Sequence, residues 1–187
     1  MSGGKLDASR AALLVVDVQE AFRKAVPGFD DLSRASAALV RGAEAVGIPI
    51  VVTEQYPKGL GHTVADVARH LPDDVKPIEK VSFSASRADG FDLGGRDQVL
   101  VCGVEAHVCV NQTVLDLLED GLEVHVAQDA VGSRFERDRQ VGLAKAERAG
   151  AVITSVETAL FELVGRAGTN EFKRVQSLVL EYAPNPS

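Results

Sequence analysis

The chain has 187 residues, 45% of them hydrophobic, with 20 basic side chains against 27 acidic ones and a formal net charge of −7. That length suits one domain, and the apolar content is too high for a disordered chain. The acidic balance argues against a general nucleic-acid binder, no apolar run reaches the ~20 residues of a membrane span, and two cysteines are too few for a disulfide framework.

The first residues lack the apolar core of a signal peptide, and reduced cysteines suit the cytoplasm, which is the expected location. Nothing divides the chain, so a single domain over 1–187 is expected, with 1–9 and 183–187 as loose termini.

In chain order, Ala11-Ala12-Leu13-Leu14-Val15-Val16 is an unbroken apolar run of strand length, the pattern of a parallel strand buried on both faces. Leu32, Ala35, Ala38, Leu39, Ala43 and Val46 then recur at helical spacing, and Gly47 stops that helix. Residues 48–53 predict a second strand, followed by the turn-rich Tyr56-Pro57-Lys58-Gly59-Leu60-Gly61 and a short amphipathic segment. Ile78-Glu79-Lys80 is a brief third strand and Val99-Leu100-Val101-Cys102 a fourth. Val110, Val114, Leu117 and Leu118 form the apolar face of the next helix, which Gly121 ends. A fifth strand over 124–127, a helix over 136–149, a sixth strand over 151–154 and closing helical segments complete the pattern. This alternation predicts an α/β fold: an open parallel sheet of about six strands with helices on both faces. In such sheets ligands bind beyond the carboxyl ends of the strands.

Three residues fall at strand ends on that edge: Asp17 after the first strand, Lys80 at the end of the third, and Cys109 after the fourth. Cys109 opens a helix, where unpaired N–H groups and the helix dipole favour thiolate. The trio suggests a division of labour. Asp17 takes the thiol proton and returns it to a leaving amine, Lys80 holds Asp17 and favours negative charge on sulfur, and Cys109 attacks a carbonyl carbon. Each residue also has an ordinary reading, as a loop acid, a surface lysine or a small buried hydrophobe; Cys102, inside a strand, fits the last. Of the four histidines, His107 is too near Cys109 in sequence to share its helical face, His125 falls in a strand, and His62 and His70 follow the second strand. No cluster has zinc-ligand spacing, so neither metal nor cofactor is expected.

Three blocks, Leu13-Leu14-Val15-Val16-Asp17-Val18-Gln19, Glu79-Lys80-Val81-Ser82-Phe83-Ser84 and Val101 through Val110, occur in the order found in the isochorismatase-like cysteine hydrolase superfamily, which the chain resembles over nearly its whole length. Thr53-Glu54-Gln55-Tyr56-Pro57-Lys58-Gly59-Leu60-Gly61 and Gly103 through Cys109 look most like the isochorismatase domain-containing proteins. The resemblance implies a three-layer α/β/α fold, an Asp17–Lys80–Cys109 triad and a cis peptide at Val104–Glu105 that turns the Glu105 N–H toward the site. That N–H and the Cys109 N–H would form an oxyanion hole. It also implies a homo-oligomer. Two departures matter. True isochorismatases, which cleave a vinyl ether, lack the cysteine present here. The nicotinamidases bind a metal through an Asp and two His, and here His62 has no matching second histidine.

The expected activity is hydrolysis of a small amide or related C–N substrate through a thioester. Gln19 and Gln55 are candidate pocket residues, with Phe22, Tyr56 and Phe83 as apolar walls. Glu105 is expected at the pocket mouth or against a neighbouring subunit. The alternative from another class is a binding or scaffold module that keeps the fold without turnover. A phospho-receiver domain lacks its paired acids here, because Glu20 is too far from Asp17, and no G-x-G-x-x-G follows the first strand.

Overall fold

The fold is taken from a computed structural model of the chain, in which residues 4–182 are described. Six strands, β1 (Ala11–Val16), β2 (Ile50–Gln55), β3 (Ile78–Lys80), β4 (Gln98–Val104), β5 (Glu123–Gly132) and β6 (Val152–Thr154), form one sheet in the order β3-β2-β1-β4-β5-β6. Every pairing in it is parallel. The connections carry α1 (Phe29–Val46), the short α2 (Pro57–Leu60) and α3 (Ala65–Ala68), then α4 (Cys109–Glu119), α5 (Glu136–Ala149), α6 (Val156–Val164) and α7 (Asn170–Tyr182). The expected open parallel α/β sheet is what forms.

The two-residue period of a strand sorts β1 onto two cores. Leu13 and Val15 pack with Leu39 of α1, Leu160 of α6 and Val179 of α7. Leu14 and Val16 face the other way, with Val110, Val114 and Leu117 of α4 and Ala146 of α5. All six residues of β1 are buried, as a central strand covered on both faces requires. Cys102 belongs to the first core and Cys109 to the second; both are free.

Two boundaries differ from the sequence pattern. β5 continues past the apolar 124–127 to Gly132, because a register shift between Val101 and Gly103 lets the exposed Gln128 and Asp129 pass before pairing resumes at Gly103↔Val131 and Val104↔Gly132. The N-terminal segment, expected to be loose over 1–9, is tied down from Leu6. Leu6 is buried and its N–H donates to Glu162 Oε2 at 3.0 Å, while the Asp7 N–H donates to Gln98 Oε1 at 2.8 Å. The expected tail at 183–187 lies outside the described residues.

The connections leave β1 and β4 toward opposite sides of the sheet, so a crevice opens beyond their carboxyl ends. Gly103 lets the two strands approach there. Its φ is +123°, and a Cβ on it would lie 1.9 Å from the Val16 carbonyl oxygen. Among the described residues no helix is long and apolar enough to cross a membrane.

Candidate active site

Asp17 follows β1 directly and is wholly buried, with φ +53°. Aspartate tolerates this left-handed conformation better than most residues. Its N–H donates to the Thr53 carbonyl at 3.1 Å, and Thr53 Oγ1 donates to Asp17 Oδ1 at 2.7 Å. Lys80 Nζ donates to the other oxygen, Oδ2, at 2.8 Å. The geometry follows from strand pairing: Thr53 lies beside Val16, and Gln55, two residues on, lies beside Lys80. The ammonium therefore also reaches Gln55 Oε1 at 2.7 Å, with the Phe83 and Ser82 carbonyls at 3.0 and 3.2 Å. A buried cation needs this saturation by oxygen, since an uncompensated charge in the interior is costly.

Cys109 faces this pair across the crevice, as the first residue of α4. Its thiol is pushed up to about 12, first by burial and then by the Asp17 carboxylate; Lys80 pulls the other way and does not win. Burial and the Asp17 carboxylate thus oppose the thiolate that the helix N-terminus favours.

The Val104–Glu105 peptide is cis. The Glu105 carbonyl accepts from the Val108 and Val110 N–H groups at 3.0 and 3.2 Å, which folds the loop back into the first turn of α4. Neither the Glu105 N–H nor the Cys109 N–H has an acceptor among the described residues. The Glu105 side chain has its partner in Arg134, whose backbone N–H and Nε both donate to Oε1 at 3.0 Å.

Cys109 lies on a cavity of about 490 Å³. Of the expected walls, Phe22, Gln55 and Phe83 line it. Gln19 does not. It is fully buried, its amide nitrogen donates to the Gln55 and Gly61 carbonyls, and its oxygen accepts the Gln55 N–H at 2.7 Å, so it staples two loops together behind the site. Tyr56 does not either. It is 55% exposed and turns into an adjoining cleft beside Lys58, Val81 and Arg87.

Leu60, Val108 and Arg134 line the cavity and were not foreseen. A signal for Arg134 did exist. Glu105, one residue beyond β4, needed a partner, and Arg134 stands two residues beyond β5, the strand paired with β4. None of the histidines lines the cavity: His107 meets Ser133 Oγ at 3.0 Å, His62 meets Glu54, His125 meets Glu123, and His70 meets Arg69.

An all-parallel sheet of this order, with a carboxylate, an ammonium and a thiol toward its switch point, is an isochorismatase-like hydrolase fold. The chain belongs to the isochorismatase family: the Isochorismatase domain matches residues 11–158. It is 40% identical over 186 residues to the secreted isochorismatase effector Isc1 of Phytophthora sojae, covering 96% of this chain and 89% of that one. It is 38% identical to isochorismatase domain-containing protein 2 of Pongo abelii, covering 97% and 89%. Among solved structures it is similar to the MAR1 ribonuclease of Caenorhabditis elegans, with a TM-score of 0.90 at 40% identity over 97% of this chain and 95% of that one. It is also similar to the YcaC gene product of Escherichia coli, described as an octameric hydrolase of unknown specificity, with a TM-score of 0.83 at 26% identity over 95% and 92%.

Proposed function

We propose that the chain is a cysteine-dependent hydrolase of a small amide or related C–N substrate, working through a thioester. The observation that carries this reading is the sealed Lys80–Asp17 pair beside Cys109 at the wall of a cavity of substrate size.

Burial and the Asp17 carboxylate disfavour a standing thiolate, so in this scheme proton loss accompanies attack. Asp17 accepts the thiol proton as the sulfur–carbon bond forms. The carbonyl oxygen becomes an oxyanion facing the Glu105 and Cys109 N–H groups, and donors so placed contribute about 3 kcal/mol each to the transition state. Asp17 then protonates the nitrogen as the C–N bond breaks, releasing amine or ammonia and leaving a thioester. Water attacks the thioester, Asp17 takes its proton, and the proton returns to sulfur as the acid departs. Lys80 takes no proton in this scheme. It fixes the carboxylate and offsets the charge that develops on sulfur.

The test is a screen of small amides, ureides and carbamoyl compounds with Cys109→Ala as control, together with mass mapping of an electrophilic thiol probe. Turnover that disappears in Cys109→Ala, with the probe on Cys109, supports the reading. Labelling at Cys102 alone overturns it. A Cys109→Ala protein that keeps every cellular effect favours the binding-module alternative instead.

We also propose that the chain self-associates, as its octameric Escherichia coli relative supports, and that it works in the cytoplasm on its two reduced cysteines. Light scattering of the purified protein tests the first; a monomer at every concentration refutes it.

A further inference from the structure

Thr113 takes no step in the scheme above, yet its hydroxyl stands between the two halves of the site. It lies one turn past Cys109 in α4 and is wholly buried. Oγ1 donates to the Cys109 carbonyl at 2.6 Å, the back-bond of a helical threonine. The same oxygen accepts the Ala85 N–H at 2.8 Å, and Ala85 is equally buried. Ala85 opens a short 3₁₀ turn, Ala85–Arg87, on the loop that follows β3.

That loop holds Lys80. The Phe83 and Ser82 carbonyls accept from Nζ at 3.0 and 3.2 Å, and Phe83 also lines the cavity beside Cys109. Ser82 Oγ donates to the Ser84 carbonyl at 3.0 Å, which stiffens the stretch between those carbonyls and Ala85. The loop needs an anchor, because β3 is three residues long and lies at the sheet edge, paired with β2 alone. Of the polar links between this loop and α4 among the described residues, that of Thr113 alone is buried. Arg87 reaches Asp116 and Asp120 at the surface, where ion pairs are worth little.

We infer that Thr113 is a positioning residue: its hydroxyl fastens the loop around Lys80 to the turn that carries Cys109, so that ammonium and sulfur keep a fixed separation. The inference rests on the hydrolase reading above and adds to it a residue with no part in proton transfer. The effect passes through Lys80, whose attraction for charge on the sulfur falls with distance. Thr113→Val keeps the shape of the side chain and loses both bonds. The Ala85 N–H is then left without an acceptor in the interior, and the loop shifts to satisfy it.

The test follows alkylation of Cys109 by iodoacetamide, an uncharged reagent, in Thr113→Val and Thr113→Ser, each with Lys80 present and in the Lys80→Met background. Circular dichroism checks that each variant is folded. With Lys80 present, Thr113→Val is expected to slow labelling about tenfold, within the loss that a displacement of about 1 Å inflicts on a reacting pair. Thr113→Ser, which keeps the hydroxyl, stays within about twofold of the native rate. In the Lys80→Met background the change to valine has no effect, because the two residues act as one unit. A purely structural role would lower the melting temperature and slow labelling equally in both backgrounds. That result, an unchanged rate in Thr113→Val, or a Thr113→Ser protein as slow as Thr113→Val overturns the proposal. Where a variant does not fold, hydrogen exchange in the native chain decides. An Ala85 amide slowed about hundredfold or more below its unprotected rate supports the link, and unprotected exchange overturns it. Native labelling at Cys102 alone overturns the hydrolase reading itself, an outcome distinct from all of these.

Discussion

Lys80 Nζ and Asp17 Oδ2 are 2.8 Å apart, and neither side chain has any exposure to solvent. The pair is sealed between β1 and β3, with β2 supplying Thr53 and Gln55 as further partners. Breaking a buried ion pair from one side leaves an uncompensated charge and costs about 3–5 kcal/mol. Lys80→Met and Asp17→Asn are each expected to lower the free energy of unfolding by that amount. The double variant Asp17→Asn/Lys80→Met is expected to lose less than the sum. Urea denaturation of the four proteins measures the coupling; additive losses would contradict it.

The state of the sulfur is the second expectation. Burial first, and Asp17 second, hold Cys109 near 12, so thiolate absorbance near 240 nm should be absent at neutral pH and grow only in strongly alkaline solution. Asp17→Asn removes a negative neighbour that disfavours thiolate, so its titration should move to lower pH. An unchanged midpoint in that variant would show that the carboxylate does not face the sulfur.

Cys102 gives a stability prediction with a definite sign. Its thiol is pushed from 9.0 up to about 12 by burial, well above its value in an unfolded chain. The folded state therefore favours the neutral thiol. That contribution is fully present below about pH 9 and is lost as pH rises from there toward 12, because the unfolded chain releases its proton first. Cys102→Ala is expected to cost about 1 kcal/mol at pH 7. The deficit should shrink with rising pH and reverse before pH 12. Guanidinium unfolding of both proteins between pH 7 and pH 11 follows the gap; a constant difference would refute the expectation.

Two glycines set the approach of backbone to the site. Gly103→Ala places a methyl 1.9 Å from the Val16 carbonyl oxygen in a left-handed conformation, and no folded protein is expected. At Gly142 in α5, a Cβ would meet the Ala106 carbonyl oxygen at 2.4 Å, in the loop that carries Glu105 toward Cys109. Gly142→Ala is expected to fold, to lose about 1–3 kcal/mol, and to slow probe labelling of Cys109. Thermal unfolding and labelling rate together check it.

The strands and the convergence of Asp17, Lys80 and Cys109 at one edge were legible because they rest on local periodicity. Buried parallel strands read as apolar runs, and the residue after each run must lie at the carboxyl edge. The helix over 136–149 was legible to its ends for the same reason. What stayed hidden depends on contacts distant in sequence. Gln19 looks like a pocket residue from its place after a strand, and only the neighbouring loop at Gln55 and Gly61 shows that its amide is spent. The pressure against thiolate stayed hidden for a related reason: the place of Cys109 on a helix is written locally, whereas its burial is not. The last residues of β5 carry no apolar pattern, and with them went the position of Arg134.

The pressure against thiolate has a consequence beyond turnover. Peroxide and disulfide reagents react with thiolate, so Cys109 is expected to react more slowly with them in the folded chain than in the unfolded one, where the same cysteine ionises at ordinary alkalinity. Completion of the sheet thus slows, without abolishing, the encounter of this sulfur with oxidants.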